Sequence, residues 1–441
     1  MNLPIEFKDR MKKMLGSEYE EFERAFTTSD NIFAIRLNNN PPSELLNIVS
    51  ELEKVPWCQK GYFVTKEIID GKHPFHIGGC IYFQEPSAMA VVPALEIEPG
   101  DYVLDLCAAP GGKATFAGTE LKGEGLLVAN EIVSKRCMVL SDNIERMGIK
   151  NALVTNENPK VLADKFPEFF NKIIVDAPCS GEGMFRKEPK AIEEWSVEHT
   201  KSCSIRQKHI IDSAIKMLSP GGRLVYSTCT FAPCENEGVV DYVLSNYPDV
   251  KLAPINMPML SEGNGEWAES EYDMSYTKRI FPHKQKGEGH FIALFEKDGV
   301  FEKSETKPKT KEDADILIFR EFEKKFLNTH MEGKFIKFGE NLYLMPMDID
   351  INKLKVERAG LLLGKCKKGR FEPAHALALA LESHEIKNTF ETEDINKYIK
   401  GETLSGDITG WCVVTYRGVN IGWAKGSGGI LKNHFPKYMR L

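Results

Sequence analysis

Apolar positions change their spacing three times along the chain. In the first ninety residues Phe7, Met11, Met14 and Leu15, and then Phe22 and Phe26, recur at three- and four-residue intervals, the spacing of amphipathic helices. Pro41-Pro42 and Gly78-Gly79 punctuate this stretch. From Asp101 short apolar runs take over, at 102–106, 125–129, 152–155, 173–175, 223–226 and 291–295, with helical patterns between them at 134–147 and 197–218. Repeated strand–helix units predict a parallel sheet covered on both faces. Asp298 to Asp315 is charged and poor in apolar residues, which predicts a linker. A smaller mixed segment follows. A strand-rich end closes the chain, where the runs 411–416 and 419–424 flank Arg417-Gly418, a hairpin signal.

Composition adds little until it is divided. The 441 residues are 42% hydrophobic and 27% charged, ordinary for a globular protein. No secretion signal and no run long enough to span a membrane stands out, and the ten cysteines lack regular spacing. These features predict free thiols in a reducing, cytoplasmic setting. The net charge of −7 argues against nucleic-acid binding when taken whole. However, residues 351–441 carry 15 Lys and Arg against 9 Asp and Glu. The basic C-terminal quarter is therefore compatible with an RNA-facing patch.

Three segments carry chemistry. Residues 103–115 read as a strand, a turn of small residues (Cys107, Ala108, Ala109, Pro110, Gly111, Gly112, Lys113) and a helix start. Such a turn lets a ligand approach the backbone. Glu131 follows the next run about 20 residues later, where a ribose diol would be held. These residues alone do not separate NAD from S-adenosylmethionine. Asp176-Ala-Pro-Cys179 and Ser227-Thr-Cys229 end two further runs. Strand ends lie on the ligand-binding edge of such a sheet, and neighbouring strands are about 4.8 Å apart. Both thiols can then face one substrate group, with Asp176 beside them. Zinc fits poorly, because Cys229-x4-Cys234 is loose and lacks a second ligand pair, so no metal is expected.

Asp-Leu-Cys-Ala-Ala-Pro-Gly-Gly-Lys, Asp-Ala-Pro-Cys-Ser-Gly and Ser-Thr-Cys-Thr, in that order, resemble the signature set of the Sun-type RNA cytosine-C5 methyltransferases. The first ninety residues, the segment from about Ile316 to Ser383 (with Gly360-Leu-Leu-Leu-Gly-Lys and Phe371-Glu-Pro-Ala-His375) and the end (Gly422-Trp-Ala-Lys, Leu431-Lys-Asn, Pro436) resemble the RsmF branch, which acts on small-subunit ribosomal RNA. The resemblance implies a Rossmann-like class I core with a mainly parallel seven-stranded sheet. It also implies an α+β cap at 1–92, the core at 93–298, a linker at 299–315, a first C-terminal α+β domain at 316–385 and a PUA-like β-rich domain at 386–441.

The same resemblance implies site roles. Residues 107–113 would line S-adenosylmethionine and Glu131 would take its ribose hydroxyls. Asp176 would sit between cofactor and base, Cys229 would be the nucleophile, and Cys179 would help release the product. By spacing Asn158 stands where the family often has an acid near the adenine, and Arg136 would also reach the cofactor. The implied partner is RNA, 16S rRNA or the small subunit, bound by a monomer. The residues leave room for other readings: a tRNA cytosine methyltransferase, a DNA-type enzyme with the two thiol roles exchanged, a NAD-dependent oxidoreductase, or a non-catalytic RNA-binding assembly factor. The chemistry suits paired thiols. Thiolate attack at C6 makes C5 enamine-like, and a donor at N3, assigned to a protonated Asp176, would absorb the developing charge. The target base must first leave any stack. Of the remaining features, the segment 279–290 resembles the family's region near the base. Lys365, Lys367, Lys368 and Arg370, and likewise Lys425, Lys432, Lys437 and Arg440, are expected to meet phosphates, and Trp411 and Trp423 to be core.

Overall fold

A computed structural model describes residues 3–27, 32–303, 313–367 and 369–440. Most of the expected linker, and Lys368, lie outside the described residues. Two helices, Ile5–Leu15 and Tyr19–Thr27, open the chain. Their apolar stripe does what its spacing predicts, burying Phe7, Met11, Phe22 and Phe26. It does so against Phe185, Trp195, Phe231 and Phe281, which belong to loops of the central domain. The rest of the cap holds a small antiparallel sheet of β1 (Phe33–Leu37), β2 (Gly61–Val64) and β3 (Ile81–Phe83), with β1 in the middle, and the helices Ser43–Ser50 and Pro74–Ile77.

The central sheet is built from β4 (Tyr102–Asp105), β5 (Leu126–Asn130), β6 (Ala152–Thr155), β7 (Phe170–Asp176), β8 (Leu218–Thr228), β9 (Val250–Ala253), β10 (Ser261–Glu262), β11 (Lys278–Ile280) and β12 (His290–Lys297). Strands β4 to β8 are parallel, in the order β8-β7-β4-β5-β6. Strand β12 lies antiparallel to β8, and both β9 and β11 pair along its free edge. Side chains alternate between two buried clusters. Val103, Leu127 and Ala129 point to one face, and Leu104, Leu126 and Val128 to the other. This double burial is why the runs read as continuously apolar.

The C-terminal half adds β13 (Lys334–Phe338), β14 (Asn341–Met345), β15 (Val356–Ala359), β16 (Leu361–Lys367) and β17 (Arg370–Pro373). Four of these make their own antiparallel sheet, while β15 leaves it and pairs with β6. The central sheet therefore has ten strands rather than the seven expected. Strands β9, β10, β11 and β15 are short segments that no run of apolar residues announces. The last sheet comprises β18 (Thr389–Glu391), β19 (Leu404–Ser405), β20 (Gly410–Tyr416), β21 (Val419–Ser427) and β22 (Ile430–Asn433). Its β20–β21 hairpin turns at Arg417 and Gly418, both with left-handed backbone. Trp411 and Trp423 are buried, as core residues. This sheet shares one hydrophobic cluster with the cap, in which Ile35, Phe75 and Ile77 meet Tyr398, Val414 and Ile421. Among the described residues no helix is long and apolar enough to cross a membrane.

Candidate active site

Strand β4 runs into the small-residue turn, and Gly111 takes φ +116°, a backbone conformation that side chains disfavour. The helix Gly112–Glu120 starts at once. A residue far away in sequence braces this turn. Arg36, fully buried on β1, donates to the Gly112 carbonyl (2.6 Å) and the Thr115 hydroxyl (2.9 Å) and also meets Gln84. The cap is thus fastened to the beginning of the helix.

Beside the turn opens a cavity of about 930 Å³, within the usual ligand-pocket range of roughly 300–1,000 Å³. Its wall brings together Cys107, Ala109, Glu131, Arg136, Asn158, Asp176, Cys179 and Cys229. Ala108, Pro110, Gly111, Gly112 and Lys113 are not on that wall. Glu131 is buried, accepts the Val133 N–H (2.8 Å) and faces Arg136 at 3.3 Å. Arg136 also donates to the Ala109 carbonyl (2.8 Å) and so bridges the two loops. Asn158 caps the helix Pro159–Lys165, its side-chain oxygen accepting the Lys160 N–H (2.9 Å). Its amide hydrogens are left for other partners. A second cavity, of about 810 Å³ between residues 54–60 and 253–259, contains none of the candidate residues.

Strands β7 and β8 run parallel in a register that sets Asp176 opposite Ser227. The loops beyond them place Cys179 Sγ 3.3 Å from Cys229 Sγ. The neighbouring sulfur, with burial, pushes the Cys179 thiol well above its ordinary value, so Cys179 keeps its proton. Asp176 receives the Lys113 ammonium (2.7 Å) on one oxygen and the Ser227 hydroxyl (2.8 Å) on the other, which also faces His290 Nε2 at 3.6 Å. Burial would raise its carboxyl, but Lys113 and His290 outweigh burial and hold it well below the usual carboxylate range. Asp176 is therefore an anion here, not the protonated donor expected from the sequence. The physical reason is the buried ammonium beside it. The neutral acid is instead Asp105 at the end of β4, fully buried, with no side-chain donor on either oxygen. Burial, with the Asp176 charge adding, pushes it up to about 8.

Several residues on this wall escaped the sequence reading. Arg206, His209, Ser213 and Lys216 line the cavity from the helix Val197–Met217. Their three- and four-residue spacing puts them on one face, a polar stripe that periodicity was able to show. The segment 279–290 divides. Arg279 is a buried anchor paired with Glu237, and only His290 reaches the site. Of the basic clusters, Lys365, Lys367, Arg370, Lys425, Lys432 and Lys437 are exposed. Among the described residues no group of His, Cys, Asp or Glu is arranged to hold a metal ion.

Comparison with known proteins agrees with this geometry. Residues 92–296 match the family model for the 16S rRNA methyltransferase RsmB/F. Residues 3–86, 321–381 and 386–441 match the models for the RsmF N-terminal domain, first C-terminal domain and PUA domain. The ribosomal RNA small subunit methyltransferase F of Shewanella piezotolerans is 34% identical over 87% of this chain and 85% of its own length. The protein of the same name from Erwinia tasmaniensis is 30% identical over 98% and 96%. A solved methyltransferase homologue from Pyrococcus horikoshii superposes with a TM-score of 0.59 at 27% identity, over 66% of this chain and 94% of its own. The NSun6 structure from the same organism, solved with SFG, has a TM-score of 0.58 at 22% identity, over 67% and 98%, and shares the fold. The chain belongs to the RsmF family of 16S rRNA methyltransferases.

Proposed function

We propose that this methyltransferase forms 5-methylcytosine in 16S rRNA with S-adenosylmethionine as methyl donor, Cys229 attacking C6 of the target base and Cys179 assisting its release. The observation that carries the reading is the pair of sulfurs 3.3 Å apart on the wall of the cavity that Asp176 also lines. The same wall offers groups for a nucleoside, a buried carboxylate, Glu131, for the ribose diol and the Asn158 amide for the adenine. S-adenosylmethionine would supply an electrophilic methyl group there.

Each side chain then has a task. Cys179 holds its proton and lies within donating reach of Cys229, the attacking sulfur. Asp176, as an anion, accepts a hydrogen bond from the cytosine amino group. The Lys113 charge behind it stabilises the electron density that attack at C6 pushes onto the ring. After the methyl group arrives, water takes the C5 proton, the C5–H electrons re-form the C5–C6 double bond and expel Cys229 as a thiolate, and the Cys179 thiol stabilises that leaving sulfur by hydrogen bonding. The cap (1–92) and the PUA-like end (386–441) serve as RNA-binding segments, their exposed lysines contacting phosphates. The chain acts as a cytoplasmic monomer.

The test uses the full-length protein with unmodified 16S rRNA and S-adenosylmethionine, resolved on a denaturing gel. Cys179→Ala should accumulate a covalent protein–RNA adduct, whereas Cys229→Ala should form none. The opposite pattern would exchange the two thiol roles. Absence of both adduct and methyl transfer with the wild-type protein, on naked RNA and on small subunits, would refute the reading.

A further inference from the structure

Neither catalytic sulfur lies in a strand. Cys179 is three residues beyond β7 and Cys229 one beyond β8, so no ladder of backbone hydrogen bonds sets their separation. Another feature of the sequence is tied to these same loops. Glu235, Asn236 and Glu237 are three consecutive polar residues with no exposed surface. Buried polar groups require partners, and where those partners lie says what the burial is for.

Here they converge on the two thiols. Glu235 accepts the Ser180 N–H (3.0 Å) and Gln207 (2.8 Å) on one oxygen and the Ser180 hydroxyl (2.5 Å) on the other. Ser180 Oγ also lies 2.8 Å from Thr230 Oγ1. Ser180 follows Cys179 and Thr230 follows Cys229, so one carboxylate connects the residues next to both sulfurs. Asn236 accepts the Thr228 hydroxyl (2.6 Å) and donates to the Thr230 carbonyl (3.0 Å). Glu237 holds Arg279 through two bonds, and Arg279 donates to the Phe231 carbonyl (3.2 Å). The loops also touch directly, since Gly183 N–H donates to the Cys229 carbonyl at 2.8 Å. A Cβ at Gly183 would meet that oxygen at 2.8 Å.

We propose that Glu235 is a positioning residue: acting through the Ser180–Thr230 hydroxyl pair, it sets the distance and orientation of Cys179 relative to Cys229. The inference rests on the thiol roles given above and adds what holds the thiols in place. Burial, with Glu182 adding, pushes the Glu235 carboxyl up to about 7, close to working pH. The groups around it are Ser180, Gln207, Glu182, Tyr226, Cys179, Cys203 and Cys234. An ionised Glu235 accepts all three donors, whereas a protonated one must give up an acceptor position. Product release should therefore accelerate as pH rises through about 7.

The experiment follows adduct decay in full-length wild type, Ser180→Ala, Glu235→Gln and Cys179→Ala on unmodified 16S rRNA, from pH 6 to 8.5, with S-adenosylmethionine affinity measured by calorimetry. Affinity should stay within about twofold in the Ser180 and Glu235 variants, since neither residue lines the cavity. Their adducts should decay about tenfold to a hundredfold more slowly, the cost of small misplacements of reacting groups. The rise in release near pH 7 should be present in wild type and absent in Glu235→Gln. If Glu235→Gln does not fold, Ser180→Ala decides. Wild-type adduct lifetimes in the folded variants, while Cys179→Ala still traps RNA, would overturn the positioning role alone. Failure of Cys179→Ala to trap RNA would overturn the underlying assignment of the thiols.

Discussion

Lys113→Met separates charge from shape, because methionine keeps most of the lysine stem and removes the ammonium that sits 2.7 Å from Asp176. At an effective dielectric constant of about 20 the lost attraction is roughly 6 kcal/mol. The desolvation of Lys113 is lost with it, and stranding one partner of a buried pair costs about 3–5 kcal/mol. Asp176 keeps 31% of its side-chain surface exposed, so the lower end, about 3 kcal/mol, applies. The sign follows from linkage. In the wild type the folded-state pKa of Asp176 is depressed. Its contribution is fully present above its ordinary value of 3.8 and is lost only as pH falls through the folded value, so it is constant from pH 6 to 8.5. Without Lys113, burial raises the Asp176 value against His290 alone, and wherever the folded value exceeds 3.8 stability falls as pH rises toward it, by up to about 1.4 kcal/mol per unit. Asp105, already near 8 and partly restrained by Lys113, moves the same way. Urea denaturation of both proteins at pH 6 and pH 8.5 checks this, and the gap should widen at the higher pH. A gap below about 1 kcal/mol at pH 8.5, or one independent of pH, would show that the ammonium does not govern the two acids.

Other changes separate neighbouring roles. Arg36→Met removes the 2.6 Å donor to the Gly112 carbonyl, leaving the Thr115 hydroxyl at 3.4 Å, and should cost about 2–3 kcal/mol in thermal melts, with weaker cofactor binding as the turn loosens. Glu131→Ala should weaken S-adenosylmethionine about tenfold to a hundredfold by calorimetry, the loss of roughly 1.4–2.8 kcal/mol for a charged hydrogen bond. Asn158→Ala should lower stability by about 1 kcal/mol through the lost helix cap and reduce affinity less than Glu131→Ala does. Replacing Lys425 and Lys432 with Ala should weaken RNA binding and lower the slope of log affinity against log salt by up to about one per residue, measured by filter binding across KCl concentrations.

What the sequence disclosed follows from which forces are local. The apolar runs located the parallel strands because each is buried on both faces, and the motif order located the cavity because strand ends share one edge of the sheet. Cys179, Cys229, Asp176 and Glu131 were legible because each stands at or just beyond a strand end. The brace from Arg36 to Gly112 joins residues 76 positions apart, and no periodicity reports such a contact. Strand β15 was equally hidden, since it pairs away from the sheet formed by its sequence neighbours. The opening helices showed their apolar stripe but not its partner. Phe7 and Phe22 pack on the loops that follow Cys179 and Cys229 rather than on the cap sheet. Arg10 of the first helix reaches the same loops, donating to buried Glu182 at 2.6 Å, while Glu182 accepts the Phe231 N–H at 3.0 Å.

The charge of Asp176 was out of reach for a deeper reason. Two carboxyls end adjacent parallel strands, Asp105 on β4 and Asp176 on β7, and the first residues of one helix place a single ammonium at Asp176. Like charges in a poorly solvated site drive the two values apart, and the position of the cation decides which acid keeps its proton. A sequence presents both acids with the same ordinary value, and Lys113 as one more residue after a glycine turn. Only the fold shows that Lys113 lies against Asp176 and not against Asp105. An ionised Asp176 on the cavity wall and a neutral, buried Asp105 follow from that placement, and the proposed role of Asp176 as an acceptor for the cytosine amino group rests on it. The same reasoning applies to the thiols. Two cysteines alike in sequence differ once one of them donates to the other, and the residues that hold them at that distance, Ser180, Thr230 and Glu235, are buried where spacing alone gives no sign of them.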